Sequence, residues 1–406
     1  MKLTKNYWRK MNFIKDMDIR NKRVLIRVDY NVPIQNGKIS NDFRIRQSLE
    51  TIKYCLSNNA SVVLMSHLGR PKGVVSEEYS LELVSWHLEE LIKTDVMFVN
   101  DCISDNAFSI SNNLKPQEVL LLENLRFYNE EVSNDDNFSK KISNHADVFI
   151  NDAFGTAHRS HASNIGVLSF FKEKGYGFLI NKEIQYLKNE LENPKKPLLF
   201  IIGGAKISTK IALINHLVEK ADIILVGGAM AFTFQKALGY NVGNSLVENE
   251  ELSTSLEIIK KAKKKNVNLQ FPVDVVCAKD INKYESIEVK SMDHFENDDI
   301  GLDIGPETCI NYQMFIESAK TIVWNGPLGL FEIPYFSTGT QSIAKSIEQH
   351  GQKNNITTII GGGDTVSAID SLNSDMKFTH ISTGGGSSLE LLSGKKLPAL
   401  KEIDIL

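Results

Sequence analysis

Cysteine is scarce in this chain of 406 residues, and the four present, Cys55, Cys102, Cys277 and Cys309, form no C-x-x-C pair. Neither a zinc-binding set nor a disulfide framework is indicated, and a reducing compartment is the simpler setting. Excess charge is also missing. The net charge is −4 and the pI is near 6.2, so the broad positive field used by nucleic-acid-binding proteins is absent. No long uncharged apolar run opens the chain: M-K-L-T-K-N-Y-W-R-K-M-N-F is broken by charges and suits neither a signal peptide nor a membrane span. The expectation is a cytoplasmic protein with no nucleic-acid or membrane partner. Three motifs are missing as well, G-x-x-x-x-G-K-[ST], G-x-G-x-x-G and the protein-kinase catalytic loop. A P-loop NTPase, a usual dinucleotide fold and a protein kinase are therefore not signalled.

What is present is an ordinary globular composition, 42% hydrophobic and 24% charged, on a chain longer than the roughly 250 to 300 residues that one core supports. Two domains follow from that length. Short β-rich apolar runs alternate with amphipathic stretches at 24–28, 61–65, 119–122 and 147–150, then at 198–202, 223–226, 273–277, 322–324 and 357–360. This pattern predicts parallel strands joined by crossover helices, an α/β architecture. Between the two series, Ile180, Ile184, Leu187 and Leu191 have the spacing of one helix that stops before Pro194, read as an interdomain helix. The polar stretch 129–137 reads as a solvated loop.

Ligands of open α/β sheets bind beyond the carboxyl ends of the strands, and those positions are chemically coherent here. The first run is followed by Asp29, Tyr30 and Asn31, with Arg44 after the next turn. The second is followed by His67, Leu68, Gly69 and Arg70, the third by Arg126, and the fourth by His158 and Arg159. Each arginine alone could be a surface ion-pair partner. Together they suit a small, multiply anionic ligand, because guanidinium gives bidentate bonds to carboxylate or phosphate. His67 and His158 are assigned to ligand binding before proton transfer.

In the second series glycines replace arginines. The strand ends carry G-G-A-K-I-S-T-K (Gly204, Ala205, Lys206, Lys210), V-G-G-A-M (Gly227, Gly228) and G-G-G-D-T (Gly361, Gly362, Gly363, Asp364, Thr365). Glycine lets backbone approach a ligand closely, and a helix beginning there directs N–H groups at phosphate. A nucleotide is the expected ligand of this half. Asp364 could hold Mg2+ or cap a helix. Lys206 and Lys210, four apart, would share one face if a helix has begun, where an ammonium could neutralise transferring phosphate. The loop W-N-G-P-L-G-L-F-E contributes Asn325, Pro327, Leu328 and Glu332; Glu332 could take sugar hydroxyls or be a surface charge. S-T-G-G-G-S-S is a further glycine-rich helix start containing Gly386.

Ten blocks in order, R-V-D-Y-N-V-P, S-H-L-G-R-P, L-L-E-N-L-R-F, N-D-A-F-G-T-A-H-R, G-G-A-K-I-S-T-K, G-G-A-M-A-F-T-F, G-L-D-I-G-P, W-N-G-P-L-G-L-F-E, G-G-G-D-T and S-T-G-G-G-S-S-L-E-L-L, resemble phosphoglycerate kinase over nearly the full chain. The resemblance implies two doubly wound, Rossmann-like parallel-sheet domains. Residues 1–178 would bind phosphoglycerate, 179–388 would bind nucleotide, and 389–406 would return to the N-terminal domain. It implies a monomer that closes about a hinge and transfers phosphoryl directly between 1,3-bisphosphoglycerate with MgADP and 3-phosphoglycerate with MgATP.

By that resemblance Asp29, Asn31, Arg44, His67, Arg70, Arg126 and Arg159 would hold the triose acid. Lys206, Lys210, Gly301, Glu332, 361–365 and 384–386 would serve nucleotide and transition state, with Arg44, Lys206, Lys210, Gly363 and Gly386 nearest the chemistry. Ala229 and Leu328 depart from the glycine and valine common in the family. Three competing readings are a kinase of another small carboxylate, a catalytically silent scaffold of the same fold, and a nicotinamide-dependent dehydrogenase.

Overall fold

The computed structural model describes residues 12–372 and 376–401, so the extreme N-terminal segment lies outside the described residues. Two compact units divide the chain: residues 1–185 with 396–406, and residues 186–395.

The first unit contains strands β1 (Arg23–Arg27), β4 (Ser61–Met65), β5 (Val96–Val99), β6 (Val119–Leu122), β7 (Val148–Asn151) and β8 (Glu173–Tyr176), with a small hairpin of β2 (Ile34–Gln35) and β3 (Lys38–Ile39). The six larger strands form one parallel sheet in the order β5-β6-β4-β1-β7-β8. Strands β4, β6 and β7 are buried at every position, as a parallel sheet covered on both faces requires. Val24, Ile26, Val62, Leu64, Leu121 and Ile150 form the centre of that core. The C-terminal end of the chain belongs here too, since Ala399 N–H donates to Ala157 O at 3.1 Å and Tyr176 Oη–H to Leu400 O at 2.6 Å.

The second unit contains β9 (Leu198–Ile202), β10 (Ile223–Val226), β11 (Asn268–Gln270), β15 (Thr321–Asn325), β16 (Thr357–Gly361) and β17 (His380–Ile381) in one parallel sheet, ordered β11-β10-β9-β15-β16-β17. The run expected as a parallel strand at 273–277 is instead the centre of a separate antiparallel sheet. There β12 (Asp274–Ala278) lies between β13 (Glu288–Ser291) and β14 (Ile300–Ile304). The connection 279–287 is too short for the crossover that a parallel pairing of β12 with β13 needs.

Two local expectations also change. The stretch 129–137 is not a plain solvated loop: it holds a helix, Asn129–Ser133, and the start of another, Asp136–Ser143, and Glu131 is fully buried. The helix around Ile180 runs through Phe178–Ile184, a π-helical turn Gln185–Asn189 and Glu190–Glu192. Its four spaced apolar residues are all buried.

Asp152, at the end of β7, caps that helix. Its Oδ1 accepts Ile180 N–H at 3.2 Å, while its buried Oδ2 has no partner. Burial pushes its carboxyl up to about 7, against the opposing effect of hydrogen bonds from Thr51 and from Ile180 and Leu179 N–H, with Glu50 adding a smaller upward push. The folded state thus holds a proton that the unfolded chain releases near pH 4. The resulting stabilisation is complete below that pH and is lost as pH rises through about 7. Asp152→Asn, which has no charge to gain, is expected to flatten the fall in Tm between pH 5 and 8, a comparison that thermal scans of the two proteins make directly.

Candidate active site

Four neighbouring strands of the first sheet, β6-β4-β1-β7, end in the loops that carry the polar residues singled out above. Asp29 is buried, and its Oδ1 accepts Asn31 N–H at 3.2 Å. Asn31 Oδ1 in turn accepts Gly69 N–H at 2.9 Å, and Gly69 O accepts Arg126 Nη1–H at 2.6 Å. Gly69 has φ +61°, and a Cβ there would lie 2.3 Å from the Tyr79 ring, so this loop requires glycine. Asn124 fixes it from below by donating to Leu68 O at 2.7 Å. Arg44, in the first turn of the helix Phe43–Ser57, donates to Asn31 O at 2.8 Å and stands 3.5 Å from Asp29 Oδ2.

Burial, reinforced by the charges of Arg27, Arg126, Arg159 and Arg44, holds His67 well below its ordinary value, so it is neutral at physiological pH. Burial, then the neighbouring guanidinium groups of Arg159 and Arg27, lowers Arg126 to about 10. Burial also lowers Arg159; Asp29 opposes that shift, while Arg70 and Arg44 add to it. Arg159 Nε lies 3.4 Å from His158 Nε2, and its buried Nη1 has no partner. Tyr30 differs from the expectation. Its ring is fully buried, its hydroxyl pairs with Ser48 Oγ at 2.9 Å, its N–H is bound by Ser66 Oγ, and its carbonyl accepts Val32 N–H. It supports the loop from the core, as does the buried Leu68.

The second unit repeats the geometry with different chemistry. Strands β10-β9-β15-β16 are adjacent, and the loops after them interlock through backbone. Gly204 N–H donates to Pro327 O at 2.8 Å, Gly228 N–H to Leu328 O at 3.0 Å, and Met230 N–H to Gly204 O at 3.0 Å. Beside them lies a cavity of about 350 Å3 lined by Gly204, Ala205, Gly228, Gly301, Pro327, Leu328, Glu332 and Asp364 together with apolar side chains such as Phe232, Val275, Ile281 and Leu330.

Lys206 and Lys210 do not share a helical face, because the helix begins only at Ile211. Lys206 is exposed. Lys210 is buried and spends its three protons on Gly203 O, Asn325 O and Asn325 Oδ1, at 2.7, 3.1 and 2.7 Å. Burial pulls its ammonium down to about 8, opposed by the charge of Asp364.

Asp364 does not cap a helix: the N-cap of Gly363–Asp370 is Gly362, and Asp364 sits exposed in the first turn, facing the cavity. Thr365 is fully buried, accepting Gly326 N–H at 2.7 Å and donating to Gly361 O at 2.8 Å. The buried Nδ2 of Asn325 has no partner, and a Cβ added at Gly361 or Gly362 would lie 3.4 or 3.1 Å from it. Gly227 packs against Leu328, while Gly386 is exposed in the first turn of the helix Gly385–Leu392.

A family model described as phosphoglycerate kinase matches residues 14–395. The chain belongs to the phosphoglycerate kinase family. It is 48% identical over 387 residues to phosphoglycerate kinase of Dictyoglomus turgidum, covering 95% of this chain and 96% of that one. It is 49% identical over 393 residues to phosphoglycerate kinase of Finegoldia magna, with 96% and 98% covered. The solved structure of phosphoglycerate kinase from Coxiella burnetii superposes with a TM-score of 0.85 at 40% identity, covering 97% and 99% of the two chains. Membership of the phosphoglycerate kinase family makes this a glycolytic phosphotransferase with a carboxylate acceptor, and the silent-scaffold reading is not favoured.

Several residues of the site carry only a weak signal in the sequence. Arg27 is 1% exposed and closes on His67; a charge inside an apolar strand was its only signal. Phe232 and Asp303 lay within blocks that were recognised without being assigned. Asp303 is buried on the cavity wall, accepting Ile304 N–H at 2.9 Å and Gly339 N–H at 2.7 Å, and burial raises its carboxyl to about 7.

Proposed function

We propose that the arginine cradle of the first unit binds 3-phosphoglycerate or 1,3-bisphosphoglycerate and that the glycine-lined cavity of the second binds ADP or ATP. One observation carries the first assignment. Arg27, Arg44, Arg70, Arg126 and Arg159 act electrostatically on one another or on the shared His67, with Asp29 and Glu131 as the opposing carboxylates. A buried guanidinium nitrogen without a partner, Arg159 Nη1, is costly unless a ligand supplies the acceptor. Asn31, His67, Arg70, Arg126 and Arg159 would grip carboxylate and phosphate oxygens, and Arg44 would face the transferring group.

For the nucleotide, the apolar walls suit a base and ribose, with Glu332 at the sugar. The amides near Gly363 and Gly386, the orphaned Asn325 Nδ2 and the exposed Lys206 suit phosphoryl oxygens. Lys210 braces the loops after β9 and β15 and adds charge. An exposed carboxylate on the cavity wall, Asp364, fits magnesium, which such sites hold through one or two carboxylates, water and phosphate. Bound there, the ion would neutralise charge on the nucleotide phosphates. Asp364→Asn is accordingly expected to lower kcat at least about tenfold, with part of the loss recovered at high magnesium in steady-state assays. A metal-independent loss would contradict the assignment.

No nucleophilic side chain is required. Reacting atoms must approach within about 3 to 3.5 Å, so closure of a monomer about the 178–192 helix would bring acyl oxygen and γ-phosphorus in line while excluding water. A cytoplasmic location follows from the substrates. Transfer from ATP made chiral at the γ-phosphorus tests the direct route: inversion is expected, and retention would require a covalent phosphoenzyme.

A further inference from the structure

Four buried side chains form a continuous chain that ends on the arginine cradle. Ser163 Oγ–H donates to Glu131 Oε1 at 2.6 Å, and Ser163 N–H donates to Glu131 Oε2 at 2.9 Å. Arg27 Nε–H donates to Ser163 Oγ at 2.8 Å, and Arg27 Nη2 lies 3.1 Å from His67 Nδ1. Glu131 and Ser163 are 0% exposed, Arg27 1% and His67 2%.

The direction of every bond is forced. Guanidinium offers donors only, so Ser163 Oγ must accept from Arg27, and its single proton goes to Glu131. His67 Nδ1 must likewise accept from Arg27 Nη2. A neutral imidazole whose Nδ1 accepts carries its proton on Nε2. Asp29 Oδ1, 3.9 Å from the same Nδ1, is too distant to be its hydrogen-bond partner. His67 Nε2 makes no hydrogen bond to any described residue. It is the ring nitrogen left for a ligand.

We infer that Glu131 and Ser163 are positioning residues for the kinase reaction: through Arg27 they lock His67 as the Nε2–H tautomer, a neutral donor aimed at an anionic oxygen of the triose acid. The inference rests on the cradle being the triose-acid site. Neither residue touches substrate. Without Ser163 the Arg27 guanidinium loses its Nε acceptor and keeps only Val28 O, besides His67, to hold it, and the opposite tautomer becomes accessible to His67.

The test uses full-length protein labelled with 15N-histidine, with His67 assigned from the His67→Gln spectrum. Wild type is expected to show neutral, Nε2-protonated His67 from pH 6 to 8. In Ser163→Ala the tautomers mix and KM for 3-phosphoglycerate rises about tenfold, the scale of one hydrogen bond to a charged group. KM for MgATP stays within about twofold, and Ser163→Thr restores both readouts. If the alanine variant does not fold, Glu131→Gln carries the same comparison. His67 found charged or Nδ1-protonated in wild type at pH 7 overturns the inference, and so does a folded variant with an unchanged His67 spectrum. Mixed tautomers with an unchanged KM overturn the role in substrate binding. A wild type that turns over no 3-phosphoglycerate would instead defeat the substrate assignment and leave the wild-type His67 spectrum to decide the hydrogen-bond chain separately.

Discussion

Replacing Arg44 by alanine is expected to lower kcat for phosphoryl transfer by about 100- to 1,000-fold, the loss typical when one preorganised donor to developing charge is removed. Folding should be spared. Arg44 stands in the first turn of the helix Phe43–Ser57, where alanine is well tolerated. The contacts it gives up are one bond to Asn31 O and a 3.5 Å approach to Asp29. Arg126, Arg70 and Arg159 would still hold the triose acid, so KM for 3-phosphoglycerate should rise less than kcat falls. Arg44→Lys should recover only part of the rate, because ammonium cannot reproduce the planar fork. Steady-state kinetics with circular dichroism on each variant decide the matter. An alanine variant within threefold of wild type would remove Arg44 from the chemistry.

The second large effect concerns stability and nucleotide together. Gly228 has φ +65°, and a Cβ there would stand 2.5 Å from Gly204 N, 2.7 Å from Gly204 O and 3.0 Å from Pro327 O. All three atoms are backbone, so no rotamer change relieves the clash. Left-handed strain of about 1 to 2 kcal/mol and overpacking of about 1 to 3 kcal/mol both apply to Gly228→Ala. The loops after β9, β10 and β15 are joined at this point, so loss of nucleotide affinity should accompany the destabilisation. Thermal unfolding with and without MgADP is expected to show a lower Tm and a smaller ligand-induced rise. An unchanged Tm would show that the interlock is looser than its backbone bonds indicate.

How much was visible in the residues themselves depended on burial. The central strands β1, β4, β6, β7, β9, β10, β15 and β16 are nearly continuous apolar runs because parallel sheets are covered on both faces, and these were read directly. Within the two large sheets, the strands that escaped, β5, β8, β11 and β17, are the four edges. Each is short or half exposed, as in Glu173–Tyr176 and Asn268–Gln270, so its pattern resembles a loop. Partner choice was equally hidden: 273–277 is apolar enough for either sheet, and only the short connection 279–287 points to an antiparallel neighbour.

The site divided along similar lines. Polar residues directly after buried strands, such as Asp29, His67 and Arg126, stood out. Residues that act from within the core did not. Glu131 sits in a stretch whose composition is that of a solvated surface, yet it is fully buried and its carboxylate is bound by Ser163, 32 positions away. The spacing of Lys206 and Lys210 suggests one shared helical face toward phosphate, but the helix begins only at Ile211 and Lys210 turns inward onto Asn325. Such pairings arise from tertiary contact and leave no periodic trace in the chain.

The division of labour between the two units is tested most directly by titrating Arg126→Ala calorimetrically, first with 3-phosphoglycerate and then with MgADP. The account predicts at least a tenfold weaker affinity for the triose acid, from the loss of a charge-assisted contact, and an unchanged affinity for MgADP. Equal weakening of both ligands, or of the nucleotide alone, would contradict it.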